Sequence, residues 1–305
     1  MKRMGSLFDN WYDDFKAACL EYVGTTFFLL LAFGGIQAAQ ESSGGSTTDV
    51  TRIMYIAVAM GLSLLVSVWI FFRATGGVFN PNVGLALLLT GVVQPFRFAL
   101  YSIAQLVGGI TAAALVFALT PGPLAYNTFL HTGVNSAQGV FIEMFITAAL
   151  VIAVLMLAAE KHQATPFAPV GIGLTLFACH LWAVIYTGAG MNVARAFGPA
   201  VVTGFPFSSQ WVYWVGDTLG SLLGAGFYII FKQNRYWRLT PNQDTMNDEE
   251  SPNVPLQNGV SLSAARGARS SSVGQSGEPH SEDATIGTRG EKGAQNGSTT
   301  GSTIV

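Results

Sequence analysis

Six long apolar runs dominate the chain, at 17–39, 53–73, 97–119, 139–159, 168–187 and 211–232. Each exceeds the roughly 18 residues that a helix needs to span a bilayer core. Two shorter apolar segments, 80–91 and 192–204, follow the second and fifth runs after brief Gly-containing turns. They are too short to span. Such segments are expected to be re-entrant half-helices, tolerated at membrane depth only where protein or a water-filled path surrounds them. The pattern predicts an all-α membrane protein of six transmembrane helices and two half-helices. It divides the chain into an N-terminal segment 1–16, a membrane domain 17–235 and a tail 236–305. Residues 240–305 are rich in Ser, Gly, Asn, Thr and Gln with no apolar period, and are expected to be disordered.

An internal repeat underlies the pattern. TGGVFNPN at 75–82 and TGAGMNVA at 187–194 fall into register on a shift of 112 residues. The same shift pairs Gly61 with Gly173, Gly108 with Gly220 and Ala112 with Gly224. Near the start of each half, Glu21-x-x-x-Thr25 matches Glu143-x-x-x-Thr147 at an offset of 122, so one loop differs in length. Three spanning helices per copy is an odd number. The second copy therefore enters the bilayer from the opposite side, making the repeat inverted. The half-helices then dip in from opposite faces, and Asn80 and Asn192 are expected to meet near the midplane.

Composition agrees with a membrane protein. Half of the 305 residues are hydrophobic and 10% are charged, against about 25% charged in soluble domains. A net charge of −2 offers nothing to a nucleic acid. Cys19 and Cys179 sit far apart inside apolar runs and suggest neither a disulfide nor a metal site. No nucleophile–base pair or cofactor motif is present in the sequence, which argues against an enzyme. The opening MKRMGSLFDNWYDDFK lacks the apolar core of a signal peptide, so the first run is expected to be retained. Lys2, Arg3, Lys16, Arg73, Arg97, Lys161, Lys232, Arg235 and Arg238 fall on the side of both termini, against Arg52 and Arg195 on the other. By the positive-inside rule both termini are expected in the cytoplasm.

The Asn residues suit helix starts. A helix N-terminus leaves backbone N–H groups unpaired and carries partial positive charge. An Asn side-chain oxygen caps those groups, leaving its NH2 to donate into the path. Two such donors, each backed by a helix dipole, orient water and repel cations and protons.

Together these features resemble the aquaporins, or major intrinsic proteins, over residues 17 to 235. The most specific stretch is HLWAVIYTGAGMNVARAFGPA, with GGVFNPN beside it. The resemblance implies six tilted helices and two half-helices meeting through Asn-Pro-Ala motifs, as a homotetramer with a pore in each subunit. The proton barrier above is general to this family. It implies that Met60, His180, Ala189 and Arg195 form the narrow outer filter, and that Glu21 and Glu143 support the half-helix loops. A lone intramembrane His is otherwise often a packing residue, and Arg195 otherwise implies a structural ion pair.

The chain also departs from the family. Its boxes read Asn-Pro-Asn at 80–82 and Asn-Val-Ala at 192–194. Val193 restores an N–H where Pro has none. Asn82 places an amide where a methyl would pack, able to bond across the contact or to disturb it. Val78 stands where many members have His. His180, Ala196 after Arg195, and the pair Tyr213 and Trp214 resemble water-selective members, whereas Met60 and Ala189 leave more room. The expected function is a passive water channel, in the plasma membrane. The alternatives are a channel for small neutral solutes such as hydrogen peroxide or glycerol, a secondary transporter, or a junctional scaffold with a non-conducting pore. No cofactor is implied. The FDNWYDDF stretch and the tail are expected to be an interfacial anchor and an inert extension, with a plug at the inner mouth as the other reading. Asn296-Gly297-Ser298 matches a glycosylation acceptor but falls on the cytoplasmic side.

Overall fold

The computed structural model describes residues 10–44, 48–243 and 245–246. All regular structure among them is helical. The helices belong to one compact unit, Met1–Thr245. Residues 1–9 and nearly all of the expected disordered tail lie outside the described residues.

The spanning helices are α1 (Trp11–Ser42), α2 (Val50–Phe71), α4 (Pro95–Leu119), α5 (Ser136–Val154), α6 (Ala168–Thr187) and α8 (Trp211–Gln233). The half-helices are α3 (Pro81–Leu89) and α7 (Val193–Val202). All six spanning helices are long and apolar enough to cross a membrane. Helix ends follow local chemistry. The Asp49 side chain accepts from Thr51 N at 3.0 Å to start α2, and Asn135 with Gln138 forms a capping box at α5. α1 begins well before its apolar run. Asp13 and Asp14 lie in its first turn, where the dipole favours acids, and Asp14 accepts from Arg97 Nε of α4 at 2.6 Å.

The two halves pack alike. α1 lies on α4 as α5 lies on α8, and α2 crosses α6 between the halves. At that crossing the repeat mates Gly61 and Gly173 face each other. A Cβ on Gly61 falls 2.6 Å from Phe177 Cβ and 2.9 Å from the Gly173 carbonyl, and one on Gly173 falls 2.7 Å from the Gly61 carbonyl. Without side chains the helix backbones approach closely, the usual device for association in lipid. Gly61→Val is therefore expected to lower the Tm in detergent by about 5–10 °C through overpacking. Gly226→Ala, where nothing lies within 4 Å, lowers it not at all. Gly109 and Gly198 make a second close contact, the missing Cβ of Gly198 pointing at the Gly109 carbonyl. This contact seats half-helix α7 on α4.

After Val154, α5 widens into a π-helical turn, Leu155–Ala159, closed by Glu160 N donating to Leu155 O at 2.8 Å. Glu160 then accepts from Lys232 Nζ at 2.8 and 2.9 Å and from Tyr228 OH at 2.7 Å, fastening the ends of α5 and α8. Burial raises the Glu160 carboxyl. The Lys232 and Tyr228 hydrogen bonds and the Lys232 charge outweigh this and hold it below its usual value. The stabilisation is thus full above the unfolded carboxylate value of about 4.3 and is lost as pH falls through the lower folded value. Glu160→Gln is expected to lower the Tm by about 2 °C at pH 7. The gap to the parent chain closes as the pH drops below about 4.

Candidate pore

The loops before α3 and α7 fold as copies. Thr75 Oγ1 accepts from Gly77 N, and Thr187 Oγ1 from Ala189 N, both at 3.2 Å. Tyr101 OH donates to Thr75 O at 3.4 Å, and its repeat mate Tyr213 to Thr187 O at 2.6 Å. Phe79 (φ 49) and Met191 (φ 52) are both left-handed, a conformation that disfavours each by roughly 1–2 kcal/mol. It is held by two buried acids. Glu21 accepts from Thr75 Oγ1 at 2.5 Å, Val78 N at 3.2 Å, Phe79 N at 2.9 Å and Gln105 Nε2 at 2.8 Å. Glu143 accepts from Gly190 N and Met191 N at 2.9 Å.

Each loop ends on an extended Asn that caps its half-helix. Asn80 Oδ1 accepts from Asn82 N and Val83 N at 2.9 and 3.4 Å. Asn192 Oδ1 accepts from Ala194 N and Arg195 N at the same distances. The side chains then cross. Asn80 Nδ2 donates to Met191 O at 2.8 Å, and Asn192 Nδ2 to Phe79 O at 2.9 Å. The NH2 groups are therefore not wholly free, as the sequence suggested. The left-handed residues turn buried carbonyls towards the opposite loop, and such carbonyls require donors. One N–H of each amide is used there, and one remains. Asn82, which the sequence left open, bonds across the junction: Val193 N donates to its Oδ1 at 2.9 Å.

A cavity of about 310 Å³ runs beside this junction. Its wall includes Arg195, Met60, Asn192 and Asn80, and extends to Arg97 and Lys161. His180 and Ala189 are fully buried and do not line it. The four expected filter residues thus divide, with Met60 and Arg195 on the wall and His180 and Ala189 off it. Arg195 donates to Tyr126 O at 2.7 Å and Gly188 O at 3.5 Å, and its Cζ lies 5.7 Å from the Phe33 ring centroid. No ion pair to Arg195 is present among the described residues. His180 Nδ1 meets Leu176 O at 2.9 Å, while His180 Nε2 and Arg195 Nε have no protein partner.

Several residues here escaped the sequence reading. Tyr126 stacks on Phe33 at 4.7 Å and donates to Ala113 O at 2.7 Å. Burial pushes its phenol up to about 12, so it remains a neutral donor. Gln37 of α1 accepts from Ala125 N at 3.0 Å and donates to Pro123 O at 3.2 Å, pinning the connection that carries Tyr126. The signal for Gln37 was a polar residue inside an apolar run. Asp217 stands 112 residues after Gln105, beside Glu143, and accepts from Thr147 at 3.3 Å. Two polar residues at one register of two apolar helices were also a visible signal.

Six spanning helices, two opposed half-helices and a cavity at their junction define an inverted-repeat membrane channel. The chain belongs to the major intrinsic protein family, whose description matches residues 10–228, and it is a channel rather than an enzyme. It is 60% identical over 258 residues to Aquaporin-1 of Laccaria bicolor, covering 83% of each chain. It is 47% identical over 235 residues to Aquaporin-1 of Gibberella zeae, covering 76% of this chain and 74% of that one. An aquaglyceroporin from Plasmodium falciparum shares the fold with a TM-score of 0.62 at 16% identity, covering 75% of this chain and 98% of that one.

Proposed function

We propose that the chain is a passive water channel. The observation that carries this reading is the crossed pair of Asn amides, each at the start of a half-helix and each on the wall of one cavity. Each amide keeps one N–H for a passing water oxygen, and the two positive helix ends disfavour cations and protons. Asn80 and Asn192 are the junction donors. The filter comprises Met60, His180, Ala189 and Arg195: Met60 and Arg195 line the cavity, His180 and Ala189 are packed behind that wall, and Arg195 is the polar group presented to the path. Glu21 and Glu143 are structural supports rather than proton carriers, since their oxygens accept from the loop backbones. The channel domain is 17–235, working as a homotetramer in the plasma membrane with both termini cytoplasmic.

Water and glycerol permeability measured on the same proteoliposomes test the reading. Water efflux well above that of protein-free vesicles, with glycerol uptake at their background, is the expected result. Glycerol uptake rising in step with water efflux would overturn it in favour of a broader solute channel, for which Met60 beside Ala189 is the sequence feature.

A further inference from the structure

The two departures from the Asn-Pro-Ala pattern meet in space. Val193 is the first helical residue of α7, a position whose N–H has no intrahelical acceptor. In α3 the same position is Pro81, which carries no N–H. Asn192 caps the next two N–H groups of α7 and leaves that of Val193. Val193 and Asn82 are both buried, at 3% exposure each. The Asn82 oxygen takes the Val193 N–H from the other half of the repeat. Asn82 aligns with Ala194 under the 112-residue shift, so each half already holds the residue that the other lacks.

We propose that Asn82 and Val193 are one device: Asn82 is a positioning residue that caps the opposite half-helix, and is required because Val193 has an N–H. It adds a third cross-link to the two Asn amide bonds and fixes the start of α7, hence Asn192 and Arg195. The backbone before position 193 admits proline once the Asn82 oxygen is gone. Asn192 is extended (φ −158, ψ 110), as is Asn80 before Pro81 (φ −152, ψ 115), and extended backbone suits a residue preceding proline.

A double-mutant cycle tests the pairing with Asn82→Ala, Val193→Pro and both together in the full chain. Asn82→Ala strands a buried N–H and is expected to lower the Tm by about 3–6 °C. Val193→Pro strands the Asn82 oxygen and sets its ring Cδ against that oxygen, so Asn82 must move, and it is expected to lower the Tm by at least about 2–4 °C. The double variant strands neither group and returns to within about 2 °C of the parent chain, because contacting sites are not additive. Water permeability per folded protein follows the same order, falling about threefold in Asn82→Ala, an effect equivalent to about 0.7 kcal/mol, and recovering in the double variant. Where a single variant yields no folded protein, recovery of folded protein in the double is the same supporting result. Losses that add, or a silent Asn82→Ala, would overturn the pairing. Only the flux arm rests on the water-channel reading. If the parent chain conducts no water, that reading fails while the Tm cycle still decides the pair.

Discussion

Arg195→Val is expected to let protons and small cations through while water continues to pass. Arg195 places a buried positive charge on the cavity wall close to the junction, and among the described residues no acid forms an ion pair with it. At about 4 Å and an effective dielectric of about 20, a unit charge opposes a passing cation by about 4 kcal/mol. At about 1.4 kcal/mol per tenfold, removing even half of that barrier raises leak by about thirtyfold. The same change strips donors from Tyr126 O and Gly188 O, so a control is needed. Arg195→Lys keeps the charge but loses the planar fork. It should hold leak near the parent level while sharing part of the loss of Tm. If Arg195 were only a structural tether, both variants would lose Tm and water permeability together and neither would leak. Proton leak by internal pH dye, alongside water efflux, separates the two cases.

Glu143→Leu is expected to remove the second half-helix loop from its working shape. Gly190 N and Met191 N both lose their acceptor, and a buried unpaired N–H destabilises by about 1–3 kcal/mol. Two of them correspond to a Tm loss of about 6–20 °C at this chain size. Met191 is left-handed and its carbonyl receives the Asn80 amide, so the damage reaches the junction and water permeability falls with stability. Glu143→Gln retains an acceptor oxygen and should lose much less. Glu21→Leu, which removes the acceptor of two loop N–H groups, Thr75 and Gln105, should be at least as severe. Equal tolerance of Leu and Gln at 143 would show that the hydrogen bonds do not hold the loop. Melting curves and permeability of the three variants decide it.

Much of the fold was legible because lipid leaves few options. An apolar run must close its backbone hydrogen bonds within a helix, so the six runs appear as six helices. The short runs are half-helices because Asn80 and Asn192 start them and the helices stop at Thr90 and Thr203. Helix ends were less legible. α1 reaches back to Trp11 because acids in its first turn and Arg97 from α4 favour it, and a hydropathy run counts those polar residues against a helix. The π turn at Leu155–Ala159 leaves no pattern in an unbroken apolar stretch.

The site divides in the same way. Glu21 and Glu143 stood out because a charge inside an apolar run demands partners, and the repeat supplied equivalent ones. Tyr101 was as visible as Tyr213 under the 112-residue shift, but its hydrogen bond to Thr75 O needed the loop geometry. Tyr126 lies in a connection without a repeat mate or period, so nothing local to it points to Arg195. The Asn82–Val193 bond joins positions 111 apart across the two halves. Each residue taken alone reads as a defect in its own box, and only their contact turns two departures into one hydrogen bond.

Water is expected to cross through the junction of the two half-helices. Osmotic shrinkage of proteoliposomes, followed by stopped-flow light scattering over a range of temperatures, tests it most directly. The intact chain and a shortened chain of residues 10–246 should be compared at matched folded protein. The expected result is shrinkage much faster than that of protein-free vesicles in at least the shortened chain, with a weak temperature dependence near that of bulk water diffusion and no added proton leak. Shrinkage no faster than protein-free vesicles in both chains, each folded by its melting curve, would contradict an open water path at Asn80 and Asn192.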